Sequence, residues 1–247
     1  MSAGTTMRTE QPMRHGDWMT AATEEYRRLG ELLAGLSDEE WRRPTDCSEW
    51  DVHDMVAHLV GAAESTASIR ELLRQARLGR RLRPGEPGVD GMNAVQVRDR
   101  TDARPQTLIH DLAAAGRRGV RARSRIPAPL RALPVPFGPP LGTRTLGYLM
   151  DRIYTRDAWL HRVDLARATG RPLPLTPEHD GRIVADIVAE WSRRHGRPYT
   201  LTLTGPAGGR FRAGSGAETQ TVDAVEFVRI LTGRAEGPGI LRHKLPL

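Results

Sequence analysis

YTRDAWLHRVDLARATG (residues 154–170) reads as the second half of a long amphipathic helix that begins near Thr143. At 100° per residue, Leu149, Met150, Ile153 and Leu160 share one apolar face. Gly170, followed by Pro172, gives the helix a regular C-terminal stop. The same face also carries Asp157, His161 and Asp164, with Asp157 and His161 one helical turn apart. An ionised carboxylate facing a helical core costs several kcal/mol unless it is paired or bound to a metal. The helix therefore predicts both a bundle to pack against and a compensating partner for its polar stripe.

Working outward, the chain supplies the other helices of such a bundle. Trp18, Ala22, Tyr26, Leu29 and Leu33 recur at helical spacing over 16–36. Ser37 and Glu40 have the spacing of a capping box. Asp51 is the expected N-cap of a second helix running to about Arg77 through Val52, Met55, Val56, Leu59, Val60 and Ala63. Residues 79–91 read as a loop and 92–122 as the third helix. The proline-rich segment IPAPLRALPVPFGPPLG (126–142) excludes a regular helix or a central strand. After Gly170 the pattern changes. Thr176-Pro177 opens a helix to about Arg194, strands are expected at 199–204, 209–213 and 217–221, and a last helix covers 223–233. The fold class is α+β: a four-helix bundle, then a smaller α+β domain, with the boundary placed so that the domains are 1–172 and 173–247.

On the second helix His58 flanks the apolar stripe. Antiparallel packing would bring it opposite Asp157 and His161, and two imidazoles with one carboxylate make a three-ligand metal set with an open position. Spacing does not decide the matter, because His53 and His58 also follow an acid by four residues, Glu49 and Asp54. A hydrogen-bonded core pair is the competing reading of Asp157 and His161. Asp164 can orient His161 from behind a metal or pair with an arginine across the bundle.

The 247 residues hold 37 basic and 30 acidic side chains, a formal net charge of +7. All the basic residues but Lys244 are arginine, which matches codon bias in a GC-rich genome better than a binding adaptation. The run Arg70, Arg74, Arg77, Arg80, Arg81, Arg83 reads as a solvated face. A single cysteine, Cys47, excludes an internal disulfide, a CxxC redox pair and a cysteine-rich zinc site; it reads as a packing thiol without a base. Trp50 and Trp159 read as core or pocket-wall residues. No apolar run is long enough for a transmembrane helix, and residues 1–16 lack the apolar stretch of a secretory signal, so a frayed, cytoplasmic N-terminus is expected.

PTDCSEWDVHDMVAHLVG (44–61) resembles the N-terminal motif of mycothiol-dependent maleylpyruvate isomerase-like proteins, in which a Cys-x-x-Trp stretch opens the helix bearing a metal-binding histidine. YTRDAWLHRVDLARATGRP (154–172) resembles that family's second motif, and FVRILTGR (227–234) its C-terminal run. The resemblance implies a DinB-like four-helix bundle and a sterol-carrier-like C-terminal domain. It implies a divalent metal, zinc in the family, on His58, Asp157 and His161, with mycothiol as a thiol cosubstrate. Asp157 stands where the isomerase has a longer glutamate, and Tyr154 where the family often has arginine. The implied chemistry is a thiolate that adds to a maleyl-type double bond, permitting rotation and elimination, or that displaces a leaving group. Arg234 is the motif-matched clamp for a small anionic substrate, and a C-terminal helix arginine meeting the dipole is its plainer reading. A thiol-independent metal hydrolase or lyase on the same bundle is the second reading. A non-catalytic, basic nucleic-acid-binding protein is the third, motivated by charge alone and without a recognisable binding motif.

Overall fold

The structure, a computed structural model, describes residues 12–136, 142–215 and 218–245. The frayed N-terminus, part of the proline-rich segment and the expected start of the third strand at 217 fall partly or wholly outside these residues. The fold is α+β. The chain forms two compact units, one of Arg14–Pro172 and a second that holds Leu173–Leu247. No helix among the described residues is long and apolar enough to cross a membrane.

Four helices of the first unit pack on one another: α1 (His15–Ala34), α2 (Val52–Ala67), α5 (Pro105–Ser124) and α7 (Tyr154–Thr169). They close a ring in which α2 packs on α5, α5 on α1, α1 on α7 and α7 on α2. Trp18, Leu29, Met55, Leu59, Leu108 and Trp159 fill its centre and are almost wholly buried. Three of the expected caps hold. The Asp51 side chain accepts from the Asp54 amide at 2.9 Å, Ser37 and Glu40 exchange reciprocal hydrogen bonds, and Gly170 ends α7 at φ 69°.

Five expected elements differ. The second helix does not run to Arg77: it breaks at Ser68, whose extended backbone (φ −147°) and side chain cap a new helix, α3 (Ile69–Leu82). Most of the expected 79–91 loop is helical, because α3 continues to Leu82 and α4 (Gly88–Arg98) starts six residues later. At their crossing a Cβ on Gly79 would lie 2.5 Å from the Gly91 carbonyl carbon, and one on Gly91 2.7 Å from that of Gly79. These glycines, read as loop punctuation, are the contact that lets the two helices meet. The expected third helix thus divides into α4 and α5, with Pro105 at the first position of α5. The proline-rich segment begins with a short helix, α6 (Ala128–Arg131), and its strand β1 (Pro134–Pro136) pairs antiparallel with β2 (Thr143–Thr145). A two-stranded edge ribbon tolerates prolines that a central strand would not. The helix leading into α7 consequently starts later, with a wide turn at Tyr148–Ile153.

In the second unit, α8 (Arg182–His195) precedes β3 (Tyr199–Thr204), β4 (Gly209–Ala213), β5 (Glu218–Asp223) and α9 (Ala224–Leu231). The sheet order is β4-β3-β5, antiparallel between β3 and β4 and parallel between β3 and β5. Trp191, Leu201, Phe227 and Val228 form its core.

Candidate metal centre

Two facing helices of the first unit bring three donor groups together. His58 comes from the middle of α2, and Asp157 and His161 from successive turns of α7. One donor atom from each lies within 4.8 Å of the others. His58 Nε2 is 3.3 Å from one oxygen of Asp157, and His161 Nε2 is 3.3 Å from the other. Both imidazoles are buried, and the Asp157 side chain keeps 26% of its surface exposed.

The groups behind the imidazoles decide what these nitrogens can do. Asp164, wholly buried, accepts from His161 Nδ1 at 3.0 Å. Behind His58 stands a chain of amides. Gln75 Nε2 donates to the Gly61 carbonyl at 3.0 Å, Gln96 Nε2 donates to Gln75 Oε1 at 2.8 Å, and His58 Nδ1 lies 2.8 Å from Gln96 Oε1. A carbonyl can only accept, so each amide in turn has one possible orientation. His58 Nδ1 must carry a proton and donate it to Gln96. In both neutral rings the lone pair therefore sits on Nε2, facing Asp157. Such outward partners fix the tautomer and orientation of metal-binding histidines. The approach of Gln96 needs Gly61, where a Cβ would lie 2.5 Å from Gln96 Cγ.

Burial alone would push the Asp157 carboxyl up, but His161 and His58 reverse this and hold it well below the usual carboxylate range. Burial would likewise pull His161 down, yet Asp157, with hydrogen bonds to Asp157, Asp164 and Cys47, raises its imidazole well above the ordinary value. Without a cation the cluster is thus an imidazolium–carboxylate pair. A divalent cation could take the same place in exchange for the proton. Two oriented imidazole nitrogens and a carboxylate are a donor set that zinc accepts, so the residues present fit a metal of that class.

A short loop adds to the site. The Thr45 hydroxyl donates to the Trp50 carbonyl at 2.8 Å and accepts from the Cys47 amide at 3.2 Å, closing the turn ahead of α2. The Trp50 indole stacks on the His58 ring at 4.9 Å with 29° between planes, and lies 6.0 Å from the His161 ring. Trp50 is a site wall, as the sequence allowed. Cys47 is half-buried, and its sulfur can join His161 and Asp164 in a second group whose donor atoms lie within 4.8 Å. A histidine therefore stands beside Cys47, a fold contact that no sequence motif announces, but both of its ring nitrogens are turned to carboxylates, Asp164 and Asp157.

Of the three histidines with an acid four residues earlier, His161 is the one that meets that acid: His53 Nε2 turns to the Ala103 carbonyl oxygen at 2.8 Å, and His58 reaches across to α7. Asp164 pairs with His161 on its own helix. Arg162, one of two buried arginines on α7, meets Glu25 of α1 through two hydrogen bonds of 2.7 and 3.0 Å. Tyr154 shares a hydrogen bond with Ser65 at 3.0 Å, and the buried Arg123 guanidinium lies 6.0 Å from its ring centre. A cation thus stands near position 154 although the residue there is tyrosine. Arg234 belongs to the second unit, in the turn after α9, where its carbonyl accepts from Arg229; the α9 carbonyl of Ile230 accepts from Lys244.

The fold and this cluster define a class, an α+β protein with a His–Asp–His donor set buried between helices of its N-terminal unit. Residues 22–166 match the family model of the mycothiol maleylpyruvate isomerase N-terminal domain, and the chain belongs to that family. Two uncharacterized proteins from two strains of Mycobacterium tuberculosis are each 31% identical to it over 150 residues. That match covers 60% of this chain and 64% of theirs, so the chain spans less than two thirds of these relatives' length. Crystal structures of the mycothiol-dependent maleylpyruvate isomerase and of a mutant of it share the fold. Each has a TM-score of 0.59 and covers 90% of both chains, at 16% and 15% identity respectively.

Proposed function

We propose that this chain is a metal-dependent enzyme, with zinc as the metal, that uses mycothiol to isomerise a small anionic electrophile or transfer sulfur to it. One observation carries the reading: the Nε2 atoms of His58 and His161 converge on Asp157 while each Nδ1 is held by an oxygen of Gln96 or Asp164. A hydrogen-bonded core pair would not need both rings oriented from behind. Membership of the mycothiol isomerase family supports the thiol.

In this reading His58, Asp157 and His161 hold the metal. Bound there, a divalent ion supplies Lewis acidity and favours a thiolate near neutral pH. Asp164 and Gln96 keep the two imidazoles in the required tautomer. Trp50 covers one face of His58 and keeps water from it. Arg234 is the proposed cationic clamp for the substrate's negative charge.

The test measures metal content and thiol dependence on one preparation. The expected result is about one equivalent of zinc per chain, lost in Asp157→Ala and His161→Ala, with turnover of maleyl-type substrates only when mycothiol is added. A metal-free native protein, or variants that keep full activity, would overturn the proposal. Metal-dependent turnover that needs no thiol would replace it with the hydrolase reading.

A further inference from the structure

The first unit also carries a surface-open cavity of about 320 Å³, within the usual range for small-molecule sites. Glu49 and Trp50 line it from the loop before α2, Arg83 and Glu86 from the α3–α4 turn, and Asp90 and Asn93 from α4. Trp50 is common to the cavity and the metal centre, since its indole also stacks on His58. A ligand seated here touches the ring that covers a proposed metal ligand.

The lining has a definite chemistry. Three carboxylates and one guanidinium line the cavity, and Arg83 lies 3.4 Å from both Glu49 and Glu86. Such a wall is net negative and repels an anion. It does not gather a metal ion either: Glu49, Glu86 and Asp90 are absent from the described groups whose donor atoms come within 4.8 Å of one another. Carboxylates accept hydrogen bonds, asparagine both accepts and donates, and arginine donates. With an indole as one wall, this set matches a ligand dense in hydroxyl groups that also has a flat C–H face.

We propose that the cavity is a binding site for an uncharged or cationic polyhydroxylated ligand, a glycoside in chemical class. Resting on the functional reading above, its occupant is the glucosamine–inositol body of mycothiol, whose cysteine then extends past Trp50 toward His58 and His161. The anionic cosubstrate must bind elsewhere. Selection for mycothiol over simpler thiols would reside in Glu86, Asp90 and Asn93.

The experiment is calorimetric titration of the full chain with sulfur-free glucosaminyl-inositol. The wild type should bind, and Glu86→Gln and Asp90→Asn should each weaken binding by about tenfold, with zinc content and far-UV circular dichroism unchanged. Absence of binding at millimolar glycoside, or undiminished binding in the double variant, overturns the site. A parallel titration with mycothiol and with N-acetylcysteine, which lacks the sugar, separates the two proposals. Weakening of mycothiol alone supports the cavity. Thiol-dependent turnover with wild-type mycothiol affinity in the variants sinks the cavity but keeps the function. Glycoside binding lost in the variants, without any thiol-dependent turnover, keeps the cavity and sinks the function.

Discussion

At the scale of single residues, the cluster of His58, Asp157, His161 and Asp164 left a trace in the sequence, because the last three place polar groups on an otherwise apolar stripe and His58 flanks another. Their support was not legible. Gln75 and Gln96 lie 21 positions apart, and only the packing of α2, α3 and α4 makes them one chain of amides ending at Gly61. This chain makes a prediction. Gln96→Leu removes the acceptor that sets the His58 tautomer, and zinc affinity should fall by roughly 10–100-fold, read by competition with a chromogenic chelator. Gly61→Ala, which drives a methyl group into Gln96, should fall in the same direction. Unchanged affinity in both would show that the chain is packing alone. The raised pKa of His161 makes a second. Below that pKa each metal ion bound must displace a proton, so affinity should rise about tenfold per pH unit until His161 is deprotonated, then level off. Proton release measured in two buffers of different ionisation enthalpy checks it, and zero release near pH 6 would contradict it.

At the scale of elements, the long helices were legible from their 3.6-residue period and caps, whereas the break at Ser68 was not. Apolar periodicity continues across it, and a serine in mid-helix is ordinary until its backbone turns extended and its side chain caps Glu71. The glycines of the α3–α4 crossing were misread for a related reason, since backbone contact between helices leaves no apolar signature. The pairing of α1 with α7 through Glu25 and Arg162 was equally silent: Arg162 falls on the polar side of its helix, and Glu25, beside Trp18 on the apolar face, gives no sign of which cation meets it. Their side chains are 0% and 2% exposed. Glu25→Ala removes one partner of a buried ion pair and should cost about 3–5 kcal/mol, read by urea denaturation. Replacing both with apolar residues of similar volume should recover most of that loss. A small effect in the single variant would mean that other groups or water already compensate Arg162.

At the scale of the whole molecule, the net charge of +7 looked like a statement about partners, but several of its arginines are committed to carboxylates of the same chain. Glu40 is held by hydrogen bonds from Arg171 and the Ser37 amide, which lower its carboxyl to about 2. Glu24, between Arg27 and Arg28, is likewise lowered to about 2. The unfolded value is about 4.3. Above it, both carboxyls are ionised folded and unfolded, and the stabilisation is complete. As pH falls from about 4.3 toward 2 the unfolded chain takes up protons that the folded chain refuses, so stability drains away across that window. Below about 2 nothing remains of it. Glu40→Gln, which removes one of these groups, should therefore lower stability at pH 7 and flatten the acid limb, and its curve should converge with that of the wild type near pH 2. Urea unfolding at half-unit pH steps tests this. Two parallel curves would show that the Glu40–Arg171 pair does not couple folding to protons, and would move the acid sensitivity of the fold to its other carboxylates.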